Sequence, residues 1–442
     1  MLTAFTLQNF KSYREARLPL GPLTVLIGAN AAGKSNAIEG LRLLSWLAQG
    51  QKLSTIQYVV NSAERIVRGR VEDLCYRGET VFGLGCDLDD ADWATLRMQV
   101  GLRDGELHVV GERVEDGREK VPLYDLDQPS QGLSTDAGVA YNNFAKGPNK
   151  PHVFCSDQMA ILAQIDSAAR FDTAHQRAQE TIPKVARRYQ SLLSNIIFLD
   201  PVPARMREYS FMSDKRLLGD GTNLSSVLFR LWGRPADANA QAYAVNRRSI
   251  LDFIQSLPEQ DIAGLDFLDG PRGEVMVKLL ETFGGELREY DASLLSDGTL
   301  RVLAIAAAML SAAEGSLVVI EEIDNGVHPS RAHHLLSCIR TIAERRHLRV
   351  LLSTHNPAML DALPDAAVPD VVFCYRDRAS GASCLVRMEN IPDVPELLAQ
   401  GSLGHLMTTG ALERFVKNHP GSEERKRRAL DWLNSLARGD AR

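Results

Sequence analysis

Short apolar runs that end in polar or glycine-rich sequence mark both ends of this chain. Leu2–Leu7 and Leu23–Ile27 read as strands. The second is a short, nearly continuous apolar run, as expected for a strand covered on both faces. A glycine-rich turn follows, then an amphipathic helix from about Lys34 to Leu47. Near the other end, a helix Leu300–Ala313 leads to a strand Leu317–Ile320, and a helix of about Ser330–Arg345 leads to a strand Val350–Ser353. That alternation predicts parallel strands joined by helices.

The middle has another rhythm. Thr80–Leu88 and Leu96–Val114 read as antiparallel strands, the second stretch broken by a turn at Arg103-Asp104-Gly105-Glu106. From about Asp125 to Lys150 the chain is rich in Pro, Gly, Ser, Asn and Asp, which predicts a long surface loop. A helical region follows at about Gln158–Leu193, then a buried strand at Asn195–Leu199. Leu224–Leu257 is helical again, broken near Gly233-Arg234-Pro235. Gly273–Thr282 and Glu286–Tyr290 flank Gly284-Gly285 and read as a hairpin. The expected fold is α/β: a mainly parallel sheet with flanking helices, an antiparallel β lobe and a helical insert. The corresponding units are 1–201, a helical insert at 202–272, 273–415 and a helical tail at 416–442. In the tail, Glu423–Arg428 holds two acids followed by four bases, read as a solvated helix end rather than a nucleic-acid arm.

Length and composition narrow the class. A chain of 442 residues calls for two or three packed units. Apolar residues at 45% and charged residues at 24% are the balance of a soluble globular protein. A net charge of −6 argues against coating nucleic acid through bulk charge, while a local basic groove stays open. The six cysteines form no C-x-x-C pair, so a zinc site is not expected and reduced thiols are. Met1–Arg14 lacks the apolar stretch of a signal peptide. The longest apolar runs, Leu303–Ala313 and Leu317–Ile320, are too short for a bilayer. The expectation is a cytoplasmic protein with no membrane partner.

The chemistry sits in three places. Gly28-Ala29-Asn30-Ala31-Ala32-Gly33-Lys34-Ser35 matches G-x-x-x-x-G-K-[ST], between a buried strand and a helix. Glycine is needed where the backbone wraps a phosphate closely. The loop's N–H groups and the helix start then face the anion. Lys34 would bridge the terminal phosphates and Ser35 would bind Mg²⁺. Ser316–Ile320 is an apolar strand ending in Glu321-Glu322, where parallel sheets bind ligands. Glu321 would hold Mg²⁺, directly or through water, and Glu322 would polarise the attacking water. Leu351–Ser353 ends in Thr354-His355, which sets His355 to reach a γ-phosphate. ATP and Mg²⁺ are the expected ligands.

Leu295-Ser296-Asp297-Gly298-Thr299 resembles the LSGGQ signature of ABC ATPases and precedes a helix and the paired acids. The order of phosphate loop, signature, paired acids and histidine resembles an ABC-type P-loop ATPase head of the RecF, SMC, Rad50 and OLD-like group. Leu7–Tyr13 resembles the N-F-K-S-F opening of that group, and Asn30 fits its G-x-N-x-x-G-K-S loop. The run from Glu321 to His328-Pro329 is most similar to bacterial "AAA family" ATPases of the OLD-like kind, many of which act in phage defence. The resemblance covers Met1–Leu47 and Ala292–Leu360, and more weakly Gly401–Phe415.

The resemblance implies nucleotide contacts at Lys11 and at each residue from Gly28 to Asn36, and a homodimer sandwiching ATP. In such a dimer Ser296 and Gly298 act on the partner's nucleotide. It also implies a separate effector chain, since too little sequence follows His355 for a nuclease domain, and double-stranded DNA as a candidate partner. Two departures bear on turnover: Asp297 and Thr299 alter the signature, and Glu321 replaces the usual aspartate. Gln158 is the candidate for the glutamine that the family places near the metal. Four functions are compatible with these residues: a dimeric ATPase switch acting on an effector or DNA, a RecF-like repair clamp, a transporter ATPase subunit and a non-catalytic ATP-sensing scaffold. The transporter reading is the weakest, because about 240 residues separate the two halves of the ATP site.

Overall fold

A computed structural model describes residues 1–56, 66–89, 92–147, 149–233, 240–254, 261–325 and 327–418. The chain opens with β1 (Leu2–Phe10), β2 (Tyr13–Pro19), β3 (Leu23–Ile27) and α1 (Lys34–Ala48). Six strands come next: β4 (Val81–Leu88), β5 (Thr95–Arg103), β6 (Glu106–Glu115), β7 (Tyr124–Gln128), β8 (Asp136–Tyr141) and β9 (His152–Ser156). Then come α2 (Gln176–Ser194), β10 (Ile197–Leu199), β11 (Ser210–Phe211), α3 (Leu224–Trp232) and α4 (Ala240–Ile254). The last part holds β12 (Ile262–Asp269), β13 (Glu274–Phe283), β14 (Glu286–Asp291), α5 (Asp297–Ser311) and β15 (Leu317–Ile320). It closes with α6 (Ala332–Arg345), β16 (Arg349–Ser353), β17 (Val371–Arg376), β18 (Ser383–Arg387) and α7 (Ala411–Asn418).

These strands make three sheets. The nucleotide sheet has the order β10-β15-β16-β3-β17-β18, parallel except for the last strand. An antiparallel sheet runs β2-β1-β4-β5-β6-β7-β8-β9. A smaller sheet joins β11, β13 and β12, with β14 also on β13. The nucleotide strands are buried on both faces, which is why they read as apolar runs. Leu317, Val319 and Leu351 face one core, shared with α1, α2 and the antiparallel sheet. Val318, Ile320, Val350 and Leu352 alternate into a second core under α3 to α6.

Three expectations change in detail. The expected surface loop Asp125–Lys150 contains most of β7 and all of β8. Their inward positions are Leu126, Ala137, Val139 and Tyr141, diluted by the exposed Asp127, Gln128 and Asp136 and by Gly138, which adds no side chain. The expected helix from Gln158 begins only at Gln176, after two short 3-10 turns at Ile161–Ala163 and Ala168–Arg170. The stretch 202–272 does carry α3 and α4, but its end is β12, paired along β13. Of the expected tail, 419–442 lies outside the described residues, and with it Glu423–Arg428. No helix among the described residues is long and apolar enough to cross a membrane.

Candidate nucleotide site

Five parallel strands end on one side of the nucleotide sheet. Phe373 of β17 lies beside Ile27, and Leu352 of β16 lies beside both Val25 and Ile320. The loops leaving these strands therefore converge, as open α/β sheets require for a ligand crevice. A pocket of about 330 Å³ forms there, lined by Asn30, Ala31, Gly33, Lys34, Ser35 and Asn36 on one wall. Glu321, Glu322 and His355 stand on the other wall. Ser353, Thr354, Arg68 and Arg376 complete the lining; no sequence motif gives them a role. Arg376 donates to the Ala31 carbonyl at 3.1 Å. No local pattern singles out this arginine; the pairing of β17 with β3 brings it to the loop.

Both loop glycines are sterically forced. Gly28 has φ +144°, and a Cβ there would stand 2.1 Å from the Cys374 carbonyl oxygen. Gly33 has φ +124°, and a Cβ would stand 2.3 Å from Ser383 Oγ. The loop is clamped from behind. Tyr13 donates its hydroxyl to the Gly33 carbonyl at 3.1 Å, and Ser383 donates to the Ala32 carbonyl at 2.5 Å. Ala29 and Ala32 border a second cavity of about 470 Å³, against Phe373, Tyr375 and Arg376.

Gly33 begins α1 with no side-chain cap. The first-turn N–H groups have no intrahelical acceptor and face the pocket mouth, which suits an anion. Lys34 Nζ donates to the Gly28 carbonyl at 2.6 Å and to the Ala29 carbonyl at 3.2 Å. Burial pushes its ammonium below the usual value, while Cys374, Glu322 and Asp324 pull the other way. Asn36 donates to Ser12 Oγ at 2.8 Å, tying α1 to the β1–β2 turn.

The acids are held differently. Glu321 accepts from Arg42 Nη2 at 2.6 Å, and that guanidinium lies 5.2 Å from the Phe198 ring centroid. Burial raises the Glu321 carboxyl above its usual value, against the pull of Arg42. Glu322 takes φ +47°, a left-handed conformation that costs a non-glycine residue about 1 kcal/mol or more. Its N–H donates to Ser353 Oγ at 3.0 Å, and its Oε2 accepts from Asn325 at 2.7 Å. Asp200, at the end of β10, is a further carboxylate nearby; burial raises it, and the charges of Arg42, Glu322 and Arg301 act on it. Oxygen ligands from Ser35 and Glu321 beside a phosphate cradle fit Mg²⁺. Among the described residues no cluster of three or more His, Cys, Asp and Glu side chains has metal-binding geometry, so the phosphates would have to complete such a site.

Four other residues singled out in the sequence stand outside this pocket. Lys11 is not in this pocket. It lines an adjoining cavity of about 380 Å³ with Arg68, Arg77 and Arg376. There it pairs with the buried Glu39 and donates to the Arg68 carbonyl at 2.7 Å. Ser296 caps its own helix α5, accepting from Thr299 N–H at 3.1 Å. Ser296 and Gly298 do not line the pocket, and Ser296 is exposed. Asp297 turns to Arg207 at 2.6 Å, so the acid that departs from the signature is neutralised locally. Gln158 donates to the Leu107 carbonyl at 3.1 Å and lies outside the pocket.

Comparison with known families agrees with this geometry. Residues 1–76 match the family described as "AAA ATPase domain". Residues 166–361 match "AAA domain, putative AbiEii toxin, Type IV TA system". The two matches hold the phosphate loop and the acid and histidine strands. Both matched families are ATPase domains of the AAA kind, and the chain is similar to them over these two stretches. Its fold is mixed α/β. Among solved structures it is similar to an SMC head bound to the C-terminal winged-helix domain of ScpA, at 12% identity and a TM-score of 0.47, covering 87% of this chain and 97% of that one. It is also similar to an SMC head with an extended coiled coil, bound to the C-terminal domain of ScpA, from Pyrococcus furiosus, at 13% identity and a TM-score of 0.47, covering 90% and 99%. An SMC head from Thermotoga maritima gives 12% identity and a TM-score of 0.37, covering 87% and 98%. No curated protein matches the chain significantly.

Proposed function

We propose that this chain binds ATP with Mg²⁺ and hydrolyses it, and that the cycle works as a dimeric switch. The observation that carries this reading is the pocket in which Lys34 and the uncapped start of α1 face Glu322 and His355. In it the loop N–H groups and Lys34 hold the phosphates. Ser35 and Glu321 would hold Mg²⁺, which would supply positive charge against the phosphates. Glu321 must share or release Arg42 to do so. Glu322, its carboxylate already oriented by Asn325, polarises the attacking water. His355 contacts the γ-phosphate. Ser296 and Gly298 act on the nucleotide of a second copy; the exposed start of α5, outside the lining of this chain's own pocket, supports that role.

The output of the switch is a partner effector or double-stranded DNA. A role in bacterial phage defence rests on the resemblance to OLD-like ATPases, and the AbiEii description of the matched family points to toxin-type systems. The test is steady-state ATP hydrolysis by the purified chain, with and without duplex DNA, beside Glu322→Gln. Turnover falling by about 10²- to 10⁴-fold in the variant, with nucleotide binding kept, is the expected result. Binding without turnover in any condition would leave an ATP-sensing scaffold. Stimulation by DNA would favour the repair-type reading.

A further inference from the structure

The phosphate loop is gripped from one side by the β17–β18 hairpin. Arg376 is the last residue of β17, and Ser383 of β18 stands directly opposite it in the antiparallel ladder. Opposed residues of such a pair carry their side chains on the same face. Both reach the loop. Ser383 donates to the Ala32 carbonyl at 2.5 Å, and Arg376 Nε donates to the Ala31 carbonyl at 3.1 Å. Arg376 Nη1 donates in turn to the Gly381 carbonyl at 2.8 Å. Ala31 and Gly381 both take left-handed backbone, at φ +63° and +64°.

This bracing leaves the arginine most of its capacity. A guanidinium has five N–H donors and no acceptor. Two are spent on the carbonyls, so three remain on Nη1 and Nη2. Arg376 is exposed, it lines the nucleotide pocket, and no acid among the described residues pairs with it. Two neighbouring arginines differ: Arg42 is committed to Glu321 and Arg68 to Glu39. Neutral carbonyls fix the position of a cation without cancelling its charge. A fork held in that way suits phosphate oxygens.

The order of the strands says which phosphates these are. In the run β15-β16-β3-β17, the acids follow β15 and His355 follows β16, on one side of the strand that feeds the loop. Arg376 follows β17, on the other side. Together with Asn36 and Arg68 it lines both the nucleotide pocket and the adjoining cavity of Lys11. With the terminal phosphate turned toward Glu322 and His355, the end of the chain nearer the nucleoside runs toward Arg376.

We propose that Arg376 is a ligand of the bound nucleotide, donating from its free N–H groups to the phosphates that ATP and ADP share. The inference rests on the nucleotide reading of the pocket and adds to it a second cation, on the side of the loop away from the acids.

The test uses the full chain as wild type, Arg376→Gln and Ser383→Ala, with ATP and ADP as probes. Titration calorimetry should show Arg376→Gln binding both nucleotides about 10- to 100-fold more weakly. The two losses should agree within about threefold, since the contact is common to both ligands. In steady-state hydrolysis the loss should fall on KM rather than on kcat. Removing the charge should also flatten the decline of affinity with rising salt. Ser383→Ala removes only a neutral brace and should keep the wild-type salt dependence. A loss confined to ATP overturns the proposal, because it puts Arg376 on the terminal phosphate. A loss with the salt dependence unchanged also overturns it and leaves Arg376 as a brace like Ser383. Should Arg376→Gln fail to fold, Arg376→Lys keeps the charge without the fork. It should bind both nucleotides about 3- to 10-fold more weakly, and wild-type affinity there overturns the proposal. A wild-type chain that binds neither nucleotide would remove the nucleotide reading and this inference with it. An Arg376→Gln chain that binds both as wild type does would remove this inference alone.

Discussion

The two large sheets use polar residues in opposite ways. In the nucleotide sheet the buried stretches of β3, β15 and β16 are almost wholly apolar, and the polar groups crowd at and just past their ends, at Lys34, Glu321, Glu322, Ser353, Thr354 and His355. In the antiparallel sheet, buried polar groups lie within the strands and are satisfied by the chain itself. Glu112 of β6 accepts from Tyr124 at 2.8 Å and from the N–H groups of Ile161 and Leu162 at 2.7 Å. Asp157, fully buried just past the end of β9, accepts from His108 of β6 at 2.8 Å. One sheet leaves its polar groups open to a ligand. The other closes them into the scaffold. Buried polarity alone therefore does not mark a site; what matters is whether partners are already in place.

The sharpest contrast between the sheets is in their glycines. Gly28→Ala should destabilise the fold by about 4 kcal/mol, because the new Cβ meets a backbone carbonyl and the residue has positive φ. Gly111→Ala in β6 meets the end of the Gln99 side chain at 3.0 Å, which can swing away, so its cost should stay within about 1 kcal/mol. Denaturant melts of both variants measure the difference, and equal costs would break the comparison.

Next in size, Lys34→Ala should weaken ATP binding about a hundredfold, close to 3 kcal/mol, while thermal stability changes little. Titration calorimetry with ATP measures it. A variant that binds ATP as tightly as wild type would remove Lys34 from the site.

Glu112 gives the scaffold its own signature. Burial pushes its carboxyl up to about 7, outweighing three donated hydrogen bonds. The folded state therefore holds this proton more tightly than the unfolded chain. The stability it contributes is fully present below pH 4.5 and is lost as pH rises to about 7, by as much as roughly 3 kcal/mol. Denaturant melts between pH 4.5 and 8 should show that fall in wild type and a flatter profile in Glu112→Gln. ATP affinity per folded molecule should not track it. A Glu112→Gln profile parallel to wild type would assign the pH dependence to other groups.

The smallest effect tests the start of α5. Ser296→Ala removes a helix cap and should cost about 1 kcal/mol of stability. If Ser296 also serves a second copy, ATP-dependent dimerisation measured by light scattering should weaken beyond that loss. Dimerisation unchanged would confine Ser296 to its cap.

The element types around the pocket were legible in the sequence because each carries a strong local signal. A glycine loop between strand and helix, and two apolar runs ending in acids or in Thr-His, need no distant partner to be read. The strands β7 and β8 were not legible, since their inward residues include Ala137 and Gly-flanked Val139, too small to outweigh the polar turn residues around them. Arg68 and Arg376 were not legible either. An arginine has no local signature for facing a pocket, and Arg376 reaches the phosphate loop across a sequence separation of 345.

By itself, then, the sequence determined which short apolar runs flank the pocket as strands, which loop is shaped for phosphate and which acids end a buried strand, because these come from local sterics and periodicity. Tertiary structure alone decided which of those ends meet. It turned Lys11 toward Glu39, Asp297 toward Arg207 and Glu321 toward Arg42, and it set Asp324 against His355. Such pairings depend on the order and register of parallel strands, which are fixed by packing two cores at once and by no residue's own neighbours.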